Sequence, residues 1–522
     1  MSTIAESEAP QADLPAATAH PRGLYVLFGS EMWERFSYYG MRALLVLYLT
    51  KHLNFARKDA LALYATYTGL VYLTPLLGGF LADKVLGQRK AILIGGIVMA
   101  MGHFAMAFEN RLYLALSLLI LGNGFFKPNI STMVGNLYPQ NDPRRDGAYT
   151  IFYVGINLGA FFAPWVCGAL GEDPRFGWHY GFAAAGVGMV FGLISFLSFQ
   201  RLLSGGYPPG REAAGTARLT VMDWSHVIGG SLICLATAYG AGLSWPTLQP
   251  YARYLVPAIV VLYVGAMIYV LAQAAANAGK KPDASDLDER FAGDPPTGAD
   301  KLGFDPAVDW QRLAVILVVA LFSIVFWMGF EQAGGTLNLF ADSKTDRTLY
   351  GALDKPFAAS LLQSVNPFFI FTLAPLFSIF WSRLDQTRYK ITSSAKMGLG
   401  LISLGIGFSV MVGAEAMSAS GRLIGPEWLV GFYFFATVGE ICLSPIGLSL
   451  VNKLAPPKIA SLMMAVWFLC TAVANYLAGI LEHELEAYKI NLFLFLVAVS
   501  IVSGLILLAL TVPLKRMSHG RL

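Results

Sequence analysis

The chain has 522 residues, 56% of them hydrophobic and only 13% charged, with a formal net charge of +4. A mean hydropathy of +0.56 excludes a soluble globular protein and marks an integral membrane protein. The small, loop-borne charge carries no signal for nucleic acid, and nothing in the sequence calls for a metal or an organic cofactor.

Residues 1–22 are polar and alanine-rich, without the basic region and apolar core of a cleavable signal, and read as a disordered tail. Apolar runs able to cross about 30 Å of hydrocarbon follow near 24–52, 60–83, 90–108, 112–136, 146–170 and 178–202, giving a six-helix bundle over 23–203. Two further spans near 224–244 and 252–277 occupy 204–278. A polar linker at 279–308, with "KKPDASDLDERFAGDPPTGAD", is rich in Pro, Gly and Asp and too short for a folded signalling domain. Six more spans lie near 309–342, 356–383, 393–413, 427–454, 459–482 and 489–514, forming a second bundle over 309–515 before a short tail at 516–522. The expectation is an all-α membrane protein of about fourteen helices, two six-helix bundles plus two extra central helices. That is the commonest architecture of secondary transporters, with the substrate site at the bundle interface.

Basic residues such as Lys84, Arg89, Lys90, Arg144, Arg145, Arg383, Arg388 and Lys390 fall on one side of these spans. The positive-inside rule makes that side cytoplasmic and places both termini there. A bacterial inner membrane fits. Cys167, Cys234, Cys442 and Cys470 lack disulfide or metal spacing and read as buried thiols, and His103 as a core histidine.

The first span holds "EMWERFSYYGMR", residues 31–42. At 100° per residue, Glu31, Glu34, Arg35, Tyr38 and Arg42 share one stripe, with Tyr39 at its edge. Each charge costs roughly 2.5–3.5 kcal/mol at a helix centre, so the stripe must face partners or a wet cavity. Lys127 lies deep in the fourth span, too far from its ends to snorkel, and needs an anion. Glu331 in the seventh span and Glu440 in the tenth, with Ser444 one turn on, give the second bundle the opposite sign. In "GGFLADKVLGQRK", residues 78–90, paired glycines permit close helix approach, and Asp83 and Arg89 can lock a gate. Pro128, Pro367 and Pro445 offer bending points.

That last loop resembles the signature loop of the major facilitator superfamily. Within it, the chain resembles the proton-dependent oligopeptide transporter family through "EMWERFSYYGMR", "GNGFFKPNIS", "IFYVGINLGAFFAP", "FWMGFEQ", "QSVNPFFI", "GEICLSPIGLSLVNKLAP" and "MMAVWFL", in order over about residues 24–482. The resemblance implies a monomeric symporter of protons and di- or tripeptides. It implies a salt bridge from Lys127 to the first helix and proton handling by Glu31, Glu34, Arg35, Lys127 and above all Glu331, whose protonation releases Arg42. It also implies a peptide held with its carboxylate at Arg42 and Lys127 and its ammonium at Glu440, with Ser444 beside it in the binding site. Asn157 and Asn366 would bond its amide and amino groups, beside pockets of Tyr39, Tyr72, Tyr153, Trp327, Phe330 and Trp467. The second helix lacks the histidine of animal members, so no histidine relay is expected there. Two other functions fit the same architecture: a proton-coupled carrier of nitrate or another organic anion, and a non-transporting nutrient receptor.

Overall fold

The computed structural model describes residues 19–139, 142, 144–207, 224–225, 227–229, 231–232, 236, 265–277, 305–387, 391–456 and 459–519. Twelve long helices account for most of them. In the first half these are α1 (Arg22–Lys51), α2 (Arg57–Leu86), α3 (Gln88–Ala105), α4 (Leu112–Asn136), α5 (Arg144–Ala163) and α6 (Trp178–Phe199). In the second they are α7 (Asp309–Phe330), α8 (Val365–Asp385), α9 (Ser393–Ser418), α10 (Glu427–Leu454), α11 (Ala460–Ala487) and α12 (Leu492–Ala509). Each matches an expected span. Residues 265–277 are helical, and the rest of the two extra spans and the linker falls largely outside the described residues.

Local chemistry explains where the helices break. α2 ends in a π turn, Ala82–Leu86, and Gly87 then takes a φ of +71°, which a side chain would resist. α5 is extended by a second π turn, Pro164–Gly168, and α7 by a 3-10 turn, Glu331–Gly334, followed by the short helix Thr336–Ser343. Pro128 lies inside α4. Pro367 instead sits in the first turn of α8, where its missing N–H would have no intrahelical partner anyway.

The helices form two bundles, α1–α6 and α7–α12. α1 lies against α5 and α6 and is buried on most of its circumference. The bundles meet where α2 packs on α11 and α5 on α8. The same close contact recurs in both. A Cβ at Gly95 of α3 would come 2.6 Å from the Gly122 carbonyl of α4, and one at Gly400 of α9 would come 2.8 Å from the Gly439 carbonyl of α10. Backbone-to-backbone packing of this kind is how membrane helices adhere without a hydrophobic drive. Its recurrence at equivalent helices is what an internal parallel repeat leads one to expect. Cys167, Cys442 and Cys470 are buried and His103 is fully buried in α3, while Cys234 lies outside the described residues.

Candidate functional site

The charged stripe of α1 divides into two groups a few turns apart. In the lower group, Arg35 binds Glu34 through both Nε and Nη2, the second bond measuring 2.6 Å, and its Nε lies 3.5 Å from Glu31. Lys127 of α4 reaches across to the same Glu31 oxygen, and Asn123 Nδ2 donates to Glu34 at 3.4 Å. The Arg35 guanidinium also covers the Tyr38 ring at 4.8 Å. Two carboxylates and two cations thus neutralise one another, with Glu31, Glu34 and Arg35 buried and Lys127 partly so. Stranding one member would leave an uncompensated buried charge, at a cost of about 3–5 kcal/mol.

About two turns further along α1, Arg42 crosses between bundles. Its Nη2 binds Glu331, in the 3-10 turn ending α7, and its Nε donates to the Tyr64 hydroxyl of α2 at 2.6 Å. The 3-10 turn is what brings this carboxylate out of the α7 helix towards α1.

Beside this pair lies a cavity of about 130 Å³ between the bundles. From the first bundle it is lined by Tyr39, Arg42, Tyr72, Tyr153 and Asn157, and from the second by Trp327, Phe330, Glu331, Asn366 and Glu440. The family resemblance singles out these ten, nine of them for the substrate and Glu331 for proton coupling, and the structure places them around one cavity. Asn366 Nδ2 donates to Glu440 and to Thr437 Oγ1, each at 2.9 Å, so carboxylate and amide are held as a unit on the wall facing Arg42. Asn157 Nδ2 is turned to the Tyr153 carbonyl of its own helix, at 3.0 Å.

Three expected ligands do not line this cavity. Lys127 points to Glu31 instead, Trp467 is packed into the apolar core, and Ser444 lies off the wall. Sequence reasoning missed Tyr64, Gln363 and Tyr433, the first as the second partner of Arg42 and the others as cavity walls. In sequence all three are ordinary polar or aromatic positions with no charge to mark them. A roomier groove of about 620 Å³ between α1, α5 and α6, lined by Trp33, Phe162 and Phe191, is almost wholly apolar and carries no comparable chemistry.

Asp83 and Arg89 lie at the far end of α2 and α3. Asp83 accepts from Gln88 at 3.1 Å, while Arg89 donates to the carbonyls of Gly205 (2.7 Å), Gln200 (3.2 Å) and Leu203. Both bond within the first bundle: Asp83 joins the end of α2 to the start of α3, and Arg89 ties the start of α3 to the segment after α6. Cross-bundle bonds gather towards the opposite end, where α1 finishes. There Lys51 binds Asp342 at 2.7 Å, Arg57 binds Glu482 at 2.6 Å, and Glu172 accepts the backbone N–H groups of Ala359 (2.7 Å) and Ser360 (3.0 Å).

A sequence profile described as POT family matches residues 89–222 and 307–492. The chain belongs to the POT family. POT relatives include the peptide transporter YePEPT of Yersinia enterocolitica, 33% identical over 96% of each chain. Another is the di-/tripeptide transporter of Lactococcus lactis subsp. lactis, 32% identical over 95% of this chain and 96% of that one. Among solved structures, a mutant peptide transporter POT in complex with alafosfalin superposes with a TM-score of 0.74, at 33% identity, covering 95% and 96% of the two chains. As a POT member the protein is a multi-pass membrane transporter, and its paired bundles are the major facilitator fold.

Proposed function

We propose that this protein is a symporter that imports di- and tripeptides with protons, by alternating access to the cavity between its bundles. The observation that carries the reading is the Arg42–Glu331 pair, which spans the two bundles and lines the cavity at once. A proton on Glu331 removes the charge that holds Arg42. It therefore frees a cation for a peptide carboxylate and loosens a cross-bundle contact in one event. Glu440, held by Asn366 on the facing wall, suits the peptide ammonium. The relatives named as peptide and di-/tripeptide transporters support this substrate class. Lys127 joins the carboxylate site only after leaving Glu31, which makes the lower charge cluster a second proton-responsive latch with Glu31, Glu34 and Arg35.

With the Lys- and Arg-rich loops cytoplasmic, the end where α1 finishes faces outward, and the bonds of Lys51, Arg57 and Glu172 seal that outer end. The cavity is smaller than the roughly 300–1,000 Å³ of ordinary small-molecule sites, so a peptide enters as the bundles part. Asp83 and Arg89 would stiffen the cytoplasmic ends that must move. Energetically, one inward charge gains roughly 2.3 kcal/mol per 100 mV, and each pH unit adds about 1.4 kcal/mol, enough for one proton to concentrate a neutral peptide by orders of magnitude.

The test is uptake of labelled dialanine into proteoliposomes under an inward proton gradient, comparing wild type with Glu331→Gln. Accumulation by wild type alone, with exchange retained by both, is the expected result. Failure of both proteins to move dialanine in either mode, with insertion confirmed, would sink the peptide reading and favour an organic-anion carrier.

A further inference from the structure

Away from this cavity, three side chains of the first bundle converge where α1 ends. His52 follows the last residue of α1, Glu109 opens the 3-10 turn Glu109–Arg111 between α3 and α4, and His179 lies in the first turn of α6. His52 Nε2 is 2.7 Å from Glu109 Oε1, and His179 Nε2 is 3.9 Å from the same oxygen. One ligand atom from each of the three falls within 4.8 Å of the others.

We propose that His52, Glu109 and His179 form a binding site for Zn²⁺ or a similar borderline divalent transition ion on the outer face of the transporter. Zinc bonds of roughly 2.0–2.2 Å in a tetrahedron set donor atoms about 3.3 Å apart, a spacing that the observed 2.7 and 3.9 Å bracket. Side-chain rotations alone can close the difference. Two neutral imidazoles and one carboxylate carry a single negative charge. They form the mixed nitrogen and oxygen set that zinc, nickel and copper prefer, and that calcium and magnesium do not.

Packing already orients the rings. Tyr48 stacks on His52 with centroids 5.2 Å apart, and its edge meets His179 at 6.4 Å, while the two histidines sit edge to face at 5.6 Å. Side-chain exposures of 34% for His52, 38% for His179 and 56% for Glu109 leave an open path for the ion and a position for water. Buried His179 Nδ1 has no hydrogen-bond acceptor, so the outer-shell support usual for a metal-bound histidine is missing there. The site is accordingly weaker than a structural zinc site. The plainer reading, a His52–Glu109 hydrogen bond that ties two loop ends, explains neither the approach of His179 nor the shared ring stack.

The test uses full-length, tag-free protein stripped with chelator. Calorimetric titration with ZnCl₂ is expected to show a single saturable site, and Co²⁺ is expected to give the visible absorption of a low-symmetry nitrogen-and-oxygen complex. Mg²⁺ and Ca²⁺ should give neither signal. His52→Ala and His179→Ala should each weaken Zn²⁺ binding by about tenfold or more. Glu109→Gln should weaken it with the fold intact, and all three variants should keep wild-type dialanine uptake in metal-free buffer. Undetectable Zn²⁺ binding by stripped wild type overturns the proposal. So does undiminished binding in folded His52→Ala/His179→Ala, which would place the ion elsewhere.

Discussion

Arg42 on α1 and Glu331 in the turn just after α7 form an ion pair across the bundle interface, with side-chain exposures of 8% and 4%. A pair so enclosed is costly to break from one side only, because the remaining charge keeps its desolvation penalty. Arg42→Ala is therefore expected to destabilise the protein by about 3–5 kcal/mol, and Arg42→Ala/Glu331→Gln by clearly less than the sum of the two singles. A double-mutant cycle of unfolding midpoints in detergent checks this. Additive losses would mean the two residues are not energetically coupled.

Glu440→Gln separates amine recognition from carboxylate recognition. Affinity for dialanine should fall about tenfold or more, since a hydrogen bond to a charged group contributes roughly 1.5–3 kcal/mol. N-acetyl-dialanine, which has no ammonium, should bind variant and wild type alike. Competition against a labelled dipeptide gives both values, and an equal loss for the two ligands would remove Glu440 from the amino end.

Glu172→Ala tests the seal proposed for the outer end. The wild-type carboxylate is bonded to two backbone N–H groups of the second bundle, and Arg347 lies 3.9 Å away. Its loss leaves those donors to water and should shift the population towards an outward-open form. Spin-label distances between the outer ends of α2 and α11 should broaden to longer values, with uptake reduced. Unchanged distances would show that the remaining cross-bundle bonds, of Lys51, Arg57, Asn338 and Ser364, hold this end without Glu172.

The repeated glycine contacts predict matched effects in the two halves. Gly95→Ala and Gly400→Ala each place a methyl group against a facing carbonyl, and each should cost about 1–3 kcal/mol of stability. Thermal unfolding in detergent is the readout. A large loss from one and none from the other would mean that the halves are packed on different principles.

Much of this was legible in the sequence because membrane insertion makes each charge conspicuous. Glu31, Glu34, Arg35, Arg42, Lys127, Glu331 and Glu440 stand out against apolar helices, and helical periodicity alone puts the α1 charges on one stripe. Partners without charge were not legible. The Tyr64 hydroxyl completes the Arg42 site, yet its sequence surroundings are those of any core tyrosine. The partner of Lys127 came from family resemblance, and only the three-dimensional packing shows that the bond to Glu31 takes Lys127 off the cavity wall. His52, Glu109 and His179 were invisible for the same reason: they lie on three elements far apart in the chain and share no local spacing.

Glu172 has one more consequence. The 3-10 turn Ala359–Ser364 leading into α8 begins with N–H groups that the turn itself leaves unbonded, and a residue of the other bundle supplies the acceptor. The start of that turn is thus finished in trans, only while the bundles are docked. On the proposed alternating access, every opening of this end of the bundles uncaps it and every closing caps it again. Hydrogen–deuterium exchange at the Ala359 and Ser360 amides would then keep time for the transport cycle in the unlabelled protein, slow while the outer door is shut and fast each time it swings.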